Sequence, residues 1–404
     1  MGNLRTPEGV GKLQAALHAK AKAEPEFGFY ALYDKLHRED VLDHAYARCR
    51  ANKGAPGVDG VTFEDVRAYG VEKWLGELAQ TLKDGSYKAK PMRRVWIPKP
   101  NGKLRPLGIS CLADRVCMMA AVLILEPIIE ADLQPEQYAY RAGVSAHDAL
   151  SAVTQGLRDG YTQVVDADLE AYFDSIDHAA LMRSVARRIP QGSSLSPLLA
   201  NLYMRRFLLG WKQWQVSRRL GARVVTYADD LVILCRPGRA EGALQALHAR
   251  TGKLGLAVNE DKTRICTAQS DSFDFLGYTF GRMHSVRTGN AYYGLRPSKK
   301  SVRRVVERVH AITDRKWTWE ETAETVAQLN RTLRGWANYF SLGTVSGAYR
   351  AVETYTTMRL RRWLLKKHKQ RRSGRLVYPY EYLFETLGLE RLSGRHSNWP
   401  SAKA

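Results

Sequence analysis

The chain has 404 residues, 45% of them hydrophobic, which is enough for two or three domains with substantial cores. Its formal net charge of +21 and isoelectric point near 9.8 indicate a polyanionic partner or an acidic surface. The longest apolar run, residues 116–125, is too short for a membrane-spanning helix of about 20 residues, and five cysteines without a CxxC pair indicate neither a zinc site nor a disulfide framework.

The first third of the chain predicts helices followed by a hairpin. Residues 1–30 are polar and rich in alanine and lysine, which predicts a helical or flexible lead-in. Apolar residues at helical spacing follow, and the glycines and proline of "NKGAPGVDG" end that segment. In "RRVWIPKPNGKLRP" basic and apolar residues alternate, and Asn101-Gly102 is typical of a hairpin tip.

Two acidic stretches lie beside apolar runs that are typical of buried strands. In "VVTYADDLVIL" (224–234), such runs flank Asp229 and Asp230, and the pattern predicts a hairpin turn, where aspartate is common for local reasons alone. In "VVDADLEAYFDSIDH" (164–178), Asp168 ends another predicted strand. If the strands are neighbours, Asp168 and Asp229 converge on a pair of divalent ions about 3.5–4 Å apart, as in polymerases.

Several ordered motifs carry a family resemblance. "VDADLEAYFDSID", "PQGSSLSPLLANLYM" and "YADD" resemble, in that order, the palm motifs of a reverse transcriptase. "NKGAPGVDG", "RRVWIPKPNGKLRPLGIS", "YRAGVSAHDAL", "NEDKT" and "FDFLGYTF" are similar to motifs of the group II intron reverse transcriptase/maturase family. The resemblance covers the chain from about residue 30 to about residue 392.

The resemblance implies an α+β fold, a right-hand polymerase with fingers and an antiparallel palm sheet, followed by an α-helical thumb/maturase domain. The implied division is an N-terminal lead-in (1–30), fingers and N-terminal extension (31–160), palm with YADD (161–294), basic helical thumb/maturase domain (295–375) and C-terminal tail (376–404). The expected partners are intron RNA, an RNA template, a DNA primer and dNTPs, with two Mg²⁺ ions as cofactors. A bacterial cytoplasmic location is also expected, without a membrane.

The resemblance also assigns roles to single residues. Asp168, Asp229 and Asp230 form the catalytic acidic set, and Asp168, the Leu169 carbonyl and Asp229 bind metal. The implied nucleotide-binding residues are Lys103, Arg105, Phe173, Gln191 and Lys262, and the implied primer-grip turn is Phe275, Leu276, Gly277 and Tyr278. Alternatives remain open: a solvated charged edge for the hairpin cations, and core packing for Phe173 and Tyr278. Asp166 and Asp177 are interpreted as structural.

The C-terminal region is strongly basic. Residues 296–375 contain 20 lysines and arginines against 6 acidic residues, an excess of 14 positive charges. The spacing of apolar residues predicts three amphipathic basic helices, and "LNRTLRGWANYFS", "RLRRWLLKKHK" and "YPYEYLFETLGL" are similar to the RNA-binding maturase region called domain X. The predicted RNA-binding residues are Arg331, Arg334, Arg361, Arg362, Lys366 and Lys367. Interleaved Trp336, Tyr339 and Trp363 suit base stacking, or else they pack in the core.

The chain departs from the family between Asp168 and Gln191, which are only 23 positions apart where the family has an additional helix and strand. A helix over residues 178–188 carries the chain about 16 Å away from the strand of Asp168. The two residues left before Gln191 span at most about 7 Å, so Gln191 cannot easily return to the nucleotide site. This spacing predicts weak or absent primer extension. The alternatives to a full enzyme are therefore a polymerase-impaired maturase or RNA-binding protein, or a defence or spacer-acquisition reverse transcriptase. No CxxC or His-rich nuclease module follows residue 392, so second-strand cleavage is not expected.

Overall fold

The computed structural model describes residues 4–98, 102, 104–170, 172–177, 179, 181, 196–285, 288–371 and 373–395, with the backbone alone at residues 105, 173, 174 and 196. The chain forms two compact units. Unit 1 comprises Met1–Val144, Leu169–Trp214 and His248–Ala257, and unit 2 comprises Ser145–Asp168, Gln215–Leu247 and Val258–Ala404. The five-segment division expected from the sequence stays a prediction.

Helices and antiparallel strands both occur, which confirms the α+β class. The helices are α1 (Glu8–Ala23), α2 (Tyr33–Leu36), α3 (Glu39–Ala51), α4 (Phe63–Tyr69), α5 (Val71–Lys83), α6 (Leu112–Glu130), α7 (Ala146–Arg158), α8 (Tyr172–Ser175), α9 (Ser196–Gln213), α10 (Val216–Leu220), α11 (Ala240–Lys253), α12 (Lys299–Ile312), α13 (Thr322–Tyr339), α14 (Ser346–Lys367) and α15 (Gly374–Val377). The strands are β1 (Arg93–Pro98), β2 (Leu104–Ile109), β3 (Gln163–Asp168), β4 (Ala222–Tyr227), β5 (Asp230–Cys235), β6 (Arg264–Thr267), β7 (Phe273–Phe275), β8 (Tyr278–His284) and β9 (Ala291–Pro297). Among the described helices, none combines the length and apolar character needed to cross a membrane.

Unit 1 is built around the apolar helix α6, which contacts α1 and α3. Its buried residues include Val116, Leu123 and Ile128. The predicted hairpin is confirmed: β1 and β2 pair antiparallel from Arg93 opposite Ile109 to Pro98 opposite Leu104. Gly102 lies at its tip with a φ of +78°, a value that glycine adopts without steric cost.

Unit 2 contains a four-stranded antiparallel sheet in the order β4-β5-β3-β6. Strand β5 is buried from Leu231 to Cys235, as expected of an apolar run with a partner strand on each edge. Helix α7 begins with a capping box formed by Ser145 and Asp148 and contacts β4 and β5. The predicted strands on both sides of the acids are therefore confirmed, and the sheet fixes where the acids lie.

The basic helices α12, α13 and α14 pack together in unit 2, where α12 contacts the other two. Their shared core includes Val305, Val309, Leu329, Leu333 and Leu360. The apolar faces predicted for the first two helices are confirmed, and the arginines on the opposite face of α12 are exposed, namely Arg303, Arg304 and Arg308.

Candidate active site

The YADD stretch forms the tight turn between β4 and β5, in which Tyr227 pairs with Asp230 and only two residues connect them. Ala228 has a φ of +58°, in the left-handed region that residues with a Cβ seldom adopt. Strain of this kind is retained where the surrounding structure holds it, and it is frequent at functional sites. The turn places Asp229 at the end of the sheet rather than within a strand.

Three aspartates meet at this end of the sheet. Asp168, the last residue of β3, pairs directly with Asp230, the first residue of β5, and Asp229 precedes it in the turn. The Asp230 side chain reaches solvent, but neighbouring protein atoms still desolvate its carboxyl group. This desolvation, together with the charges of Asp229 and Asp168, raises the pKa of Asp230 to about 6. Such a concentration of negative charge favours a cation.

Lys262 supplies one positive charge at the site. Its Nζ donates a hydrogen bond to Asp168 Oδ2 at 2.7 Å, and this bond raises the pKa of Lys262. The backbone explains the contact: the N–H of Asn259 donates to the carbonyl of Asp168 at 2.8 Å, and that of Thr263 donates to the carbonyl of Asn259 at 2.9 Å. The "NEDKT" turn is thus fixed to the end of β3, with its lysine against the acid.

Asp166 and Asp177 have structural contacts. Asp166 pairs with Arg264 across β3 and β6, and the Nε of Arg264 lies 3.4 Å from its carboxylate. Burial raises the pKa of Asp166, and Arg264 opposes that effect. Asp177 accepts a hydrogen bond from the N–H of Ala179 at 2.8 Å. Arg264, which the sequence interpretation missed, is recognisable only once the strand register is known.

The oxygen donors suit Mg²⁺, a hard cation that proteins usually hold with one or two carboxylates besides water and substrate phosphates. Asp168 and Asp229, with the Leu169 carbonyl, are the residues that would hold it. Among the described residues, no cluster of three or more acidic, histidine or cysteine side chains has the arrangement of a metal site.

Replacing Asp230 with asparagine is expected to stabilise the metal-free chain at pH 8, because the amide keeps the shape and removes charge repulsion. The carboxyl group has a higher pKa in the folded chain, about 6 instead of 3.8, so its destabilising effect grows as the pH rises through this window. After allowance for solvent screening, we expect a gain of about 1 kcal/mol. Thermal unfolding in EDTA at pH 8 and below pH 4 measures the gain in stability. An equal gain at both pH values would show that charge repulsion is not its cause.

The predicted nucleotide-binding residues are only partly described. Arg105 lies in β2 opposite Ile97, and Phe173 lies in α8, but the structure describes only the backbone of these two residues. Lys103 and Gln191 lie outside the described residues, as does most of the short interval before Gln191. The roles of these four residues, and the effect of the short interval, stay predictions.

The predicted primer-grip turn is a two-residue hairpin in which Phe275 pairs with Tyr278. Leu276 and Gly277 have φ values of +48° and +80°, which is typical of a type I′ turn. Phe275 and Tyr278 are buried, so their rings belong to the core. For Tyr278 the core-packing alternative is therefore confirmed, and contact of this turn with a primer stays a prediction.

Two residues of the helical bundle donate hydrogen bonds to the backbone carbonyls of this turn. The Tyr339 hydroxyl donates to the Leu276 carbonyl at 2.9 Å, and the Ser301 hydroxyl donates to the Gly277 carbonyl at 2.8 Å. Burial, with smaller effects from Tyr227 and Asp230, raises the pKa of Tyr339 to about 12, so its hydroxyl keeps its proton at neutral pH. The Tyr339 carbonyl in turn accepts from the Tyr278 hydroxyl at 2.6 Å and contacts His147 Nε2 at 2.7 Å.

Tyr339→Phe is expected to loosen the turn and weaken the binding of a primer–template duplex by about 2- to 10-fold, the effect of one hydrogen bond worth about 0.5–1.5 kcal/mol. The matched control is Tyr355→Phe, which removes an exposed hydroxyl 3.0 Å from His310 Nδ1 and leaves the turn intact. Duplex affinity measured by fluorescence anisotropy checks this. Equal effects of the two substitutions would assign Tyr339 a general structural role.

The predicted RNA-binding cations divide into four that are exposed and two that bond within the chain. The exposed cations are Arg362 and Lys366 on α14, and Arg331 and Arg334 on α13, which have the ion-pair partners Glu324 and Glu390.

Arg361 and Lys367 require a correction. Arg361 is 7% exposed, its Nε donates to the Tyr378 carbonyl at 2.8 Å, and its guanidinium lies 4.3 Å from the Tyr380 ring centroid. The Nζ of Lys367 donates to the carbonyls of Thr318 and Glu320 at 3.1 and 2.6 Å. Both cations satisfy internal acceptors, so we remove them from the RNA-binding set.

The aromatic residues of the bundle also face inward. Trp363 is buried, and Trp336 packs against the bundle core. Tyr339 holds the turn described above. Core packing is therefore the role of Trp363 and Trp336, and stacking on RNA bases is not assigned to them.

Comparison with known proteins places these features in two conserved domain types. Residues 97–280 match the family described as reverse transcriptase (RNA-dependent DNA polymerase), and residues 302–378 match the maturase-specific domain of group II introns. Protein YkfC of Escherichia coli is 31% identical, over 68% of this chain and 89% of YkfC. The group II intron-encoded protein LtrA of Lactococcus lactis is 32% identical, over 44% of this chain and 34% of LtrA. A putative COX1/OXI3 intron 1 protein of Saccharomyces cerevisiae is 24% identical, over 76% of this chain and 49% of that protein.

Proposed function

The chain belongs to the group II intron reverse transcriptase/maturase family, and from this premise we propose that it binds an intron RNA, assists its splicing and copies it into DNA. The observation that carries the polymerase part is the pairing of Asp168 with Asp230 beside Asp229 in the YADD turn. The right-hand polymerase fold follows from the family. The cytoplasmic location stays a prediction drawn from the same resemblance.

In the proposed reaction, the primer 3′-oxygen forms a bond to the α-phosphorus of a dNTP while the bond from that phosphorus to the bridging oxygen breaks. The 3′-hydroxyl proton is released, and pyrophosphate leaves. Asp168 and Asp229 would hold Mg²⁺, which when bound offsets the negative charge on the reacting oxygens. Lys262 holds Asp168 in position through its 2.7 Å hydrogen bond.

The nucleotide pocket completes the proposal. Lys103 and Arg105 would contact the triphosphate by charge-assisted hydrogen bonds. Phe173 would press on a ribose 2′-hydroxyl and favour deoxynucleotides, and Gln191 would hydrogen-bond the incoming nucleotide. Leu276 and Gly277 would contact the primer. The roles of these six residues rest on the family motifs in which the residues lie.

The maturase part rests on the exposed cations of α13 and α14. Arg331, Arg334, Arg362 and Lys366 lie within the residues that match the maturase-specific domain. Their charge is complementary to an RNA backbone, whose counterions are released when cations replace them. The two domain matches together favour this reverse transcriptase/maturase function over the polymerase-impaired and defence alternatives.

The proposal has two separable tests. Splicing of a group II intron RNA at low Mg²⁺, with and without the chain, tests the maturase part, and an unchanged splicing rate would contradict it. Incorporation of dNTPs on an RNA template tests the polymerase part.

A further inference from the structure

Unit 1 contains an open cleft of about 490 Å³ that the proposed reaction does not use. The second half of α9, the last turn of α11 and the segment after α1 line it. We call it the arginine cleft, because its lining includes Arg205, Arg206, Arg250 and Lys253. None of the three catalytic aspartates lies in it.

The charges in the cleft are unbalanced. Arg205 is paired internally, with its Nη2 2.6 Å from the Asp132 carboxylate and its Nε donating to the Asp132 carbonyl at 3.0 Å. Of the remaining lining residues, three are cations and one, Glu26, is an acid. The cleft therefore carries an excess of positive charge that favours an anionic ligand.

Arg206 indicates which kind of anion. Its guanidinium lies 5.2 Å from the centroid of the Tyr203 ring, and its Nη1 is buried without a hydrogen-bond partner among the described residues. A buried donor without an acceptor costs about 1–3 kcal/mol. Arg206 also lines the cleft, and an arginine fork suits the geometry of a phosphate group.

The rim of the cleft presents two further cations on an aromatic ring. Trp214 is 50% exposed, and the guanidinium carbon of Arg250 and the Nζ of Lys253 lie 4.0 and 4.8 Å from its ring centroid. An indole holds cations through its π-face and offers them no hydrogen-bond acceptor. The N–H donors of Arg250 and Lys253 therefore stay available to a ligand while their positions are restrained.

We propose that the arginine cleft binds consecutive phosphates of a single-stranded RNA segment. The inference rests on the proposed function for the choice of RNA, and it adds a binding site in unit 1 to the basic helices of unit 2. A cavity of this size suits a ligand much larger than one phosphate ion. Positively charged grooves that follow the backbone are a usual means of binding single strands.

The test compares two double variants of the full chain in binding a fluorescent single-stranded RNA at several salt concentrations. Arg250→Gln/Lys253→Gln removes two cleft cations, and Arg218→Gln/Arg219→Gln removes two exposed arginines of α10 that do not line the cleft. We expect the cleft variant to bind about 10-fold more weakly and its log–log salt slope to fall by about 1.4, or about 0.7 for each lost contact. The control variant keeps the slope of the unaltered chain.

Arg206→Lys is the second variant, since it keeps the charge and loses the fork, and we expect an intermediate loss with an unchanged melting temperature. Equal RNA binding by the cleft variant and the unaltered chain, or an equal loss in the α10 control, overturns the inference alone. Failure of the unaltered chain to bind RNA at all rejects the proposed function as well. If inorganic pyrophosphate raises the melting temperature of the unaltered chain but not of the cleft variant, while both bind RNA equally, the site holds a free phosphate compound instead.

Discussion

Arg362→Glu/Lys366→Glu is expected to weaken binding of a group II intron RNA on the order of 100-fold at physiological salt, because it replaces two phosphate contacts with repulsion. Both side chains are exposed on α14 and one helical turn apart. The log–log dependence of affinity on salt should become shallower by about 1.4–1.8, since each lost contact removes about 0.7–0.9. Filter binding across a salt series measures both quantities.

The matched comparison is Arg361→Met in the same helix. Arg361 is buried against Tyr378 and Tyr380, so its loss should reduce the free energy of unfolding by about 2 kcal/mol, the effect of a charged hydrogen bond, and leave the salt slope unchanged. A larger loss of RNA affinity in Arg361→Met than in the double variant would show that the RNA contact was assigned to the wrong residues.

Asp168→Ala and Asp229→Ala are each expected to reduce DNA synthesis at least about 1000-fold, because either change removes a carboxylate that would hold the Mg²⁺ that offsets negative charge in the transition state. Both side chains lie at the open end of the sheet, and Lys262, which loses its partner in Asp168→Ala, has a side chain that is 63% exposed. The melting temperature and the affinity for RNA should therefore change little.

The matched control is Asp159→Asn. Asp159 forms an exposed ion pair with Arg223 at 2.6 Å, at the end of β4 opposite to the YADD turn. This variant removes one acid from unit 2 and should keep the activity of the unaltered chain. Synthesis that survives in either alanine variant, or that disappears in the control, would refute the assignment of the two metal ligands.

Local sequence patterns were sufficient to predict the strands that carry the acids. The apolar runs around Asp168 and Asp229 specify strands, and burying those runs fixes the register that sets Asp168 opposite Asp230. The first hairpin was predictable for a similar reason, since Asn-Gly is typical of a hairpin tip and Gly102 has a positive φ. The turn at Leu276 and Gly277 was expected only from the family resemblance. The strands and the turns depend on residues close together in the sequence, whereas the pairing of Asp168 with Asp230 joins distant residues and was expected only if the two strands are neighbours.

The placement of the basic side chains was not predictable in the same way. Neighbouring Arg361 and Arg362 differ only in their position around α14, and the apolar and basic residues of that helix do not separate into two clear faces. Arg361 is held by the carbonyl of Tyr378, 17 residues later, and Tyr339 is held by Leu276, 63 residues earlier. Contacts between distant parts of the chain decide these roles, and periodicity does not report them.

The most direct test of the central claim is single-nucleotide incorporation by the unaltered chain on an RNA template, with a DNA primer, Mg²⁺ and each dNTP in turn. The account predicts that the incorporated nucleotide follows the template base when that base is changed, and that EDTA stops the reaction. The short interval before Gln191 predicts weak or absent primer extension, whereas the polymerase assignment predicts templated incorporation, and this measurement decides between the two. Absence of any templated incorporation, in a chain that still binds intron RNA, would contradict the polymerase assignment and favour a maturase without DNA synthesis.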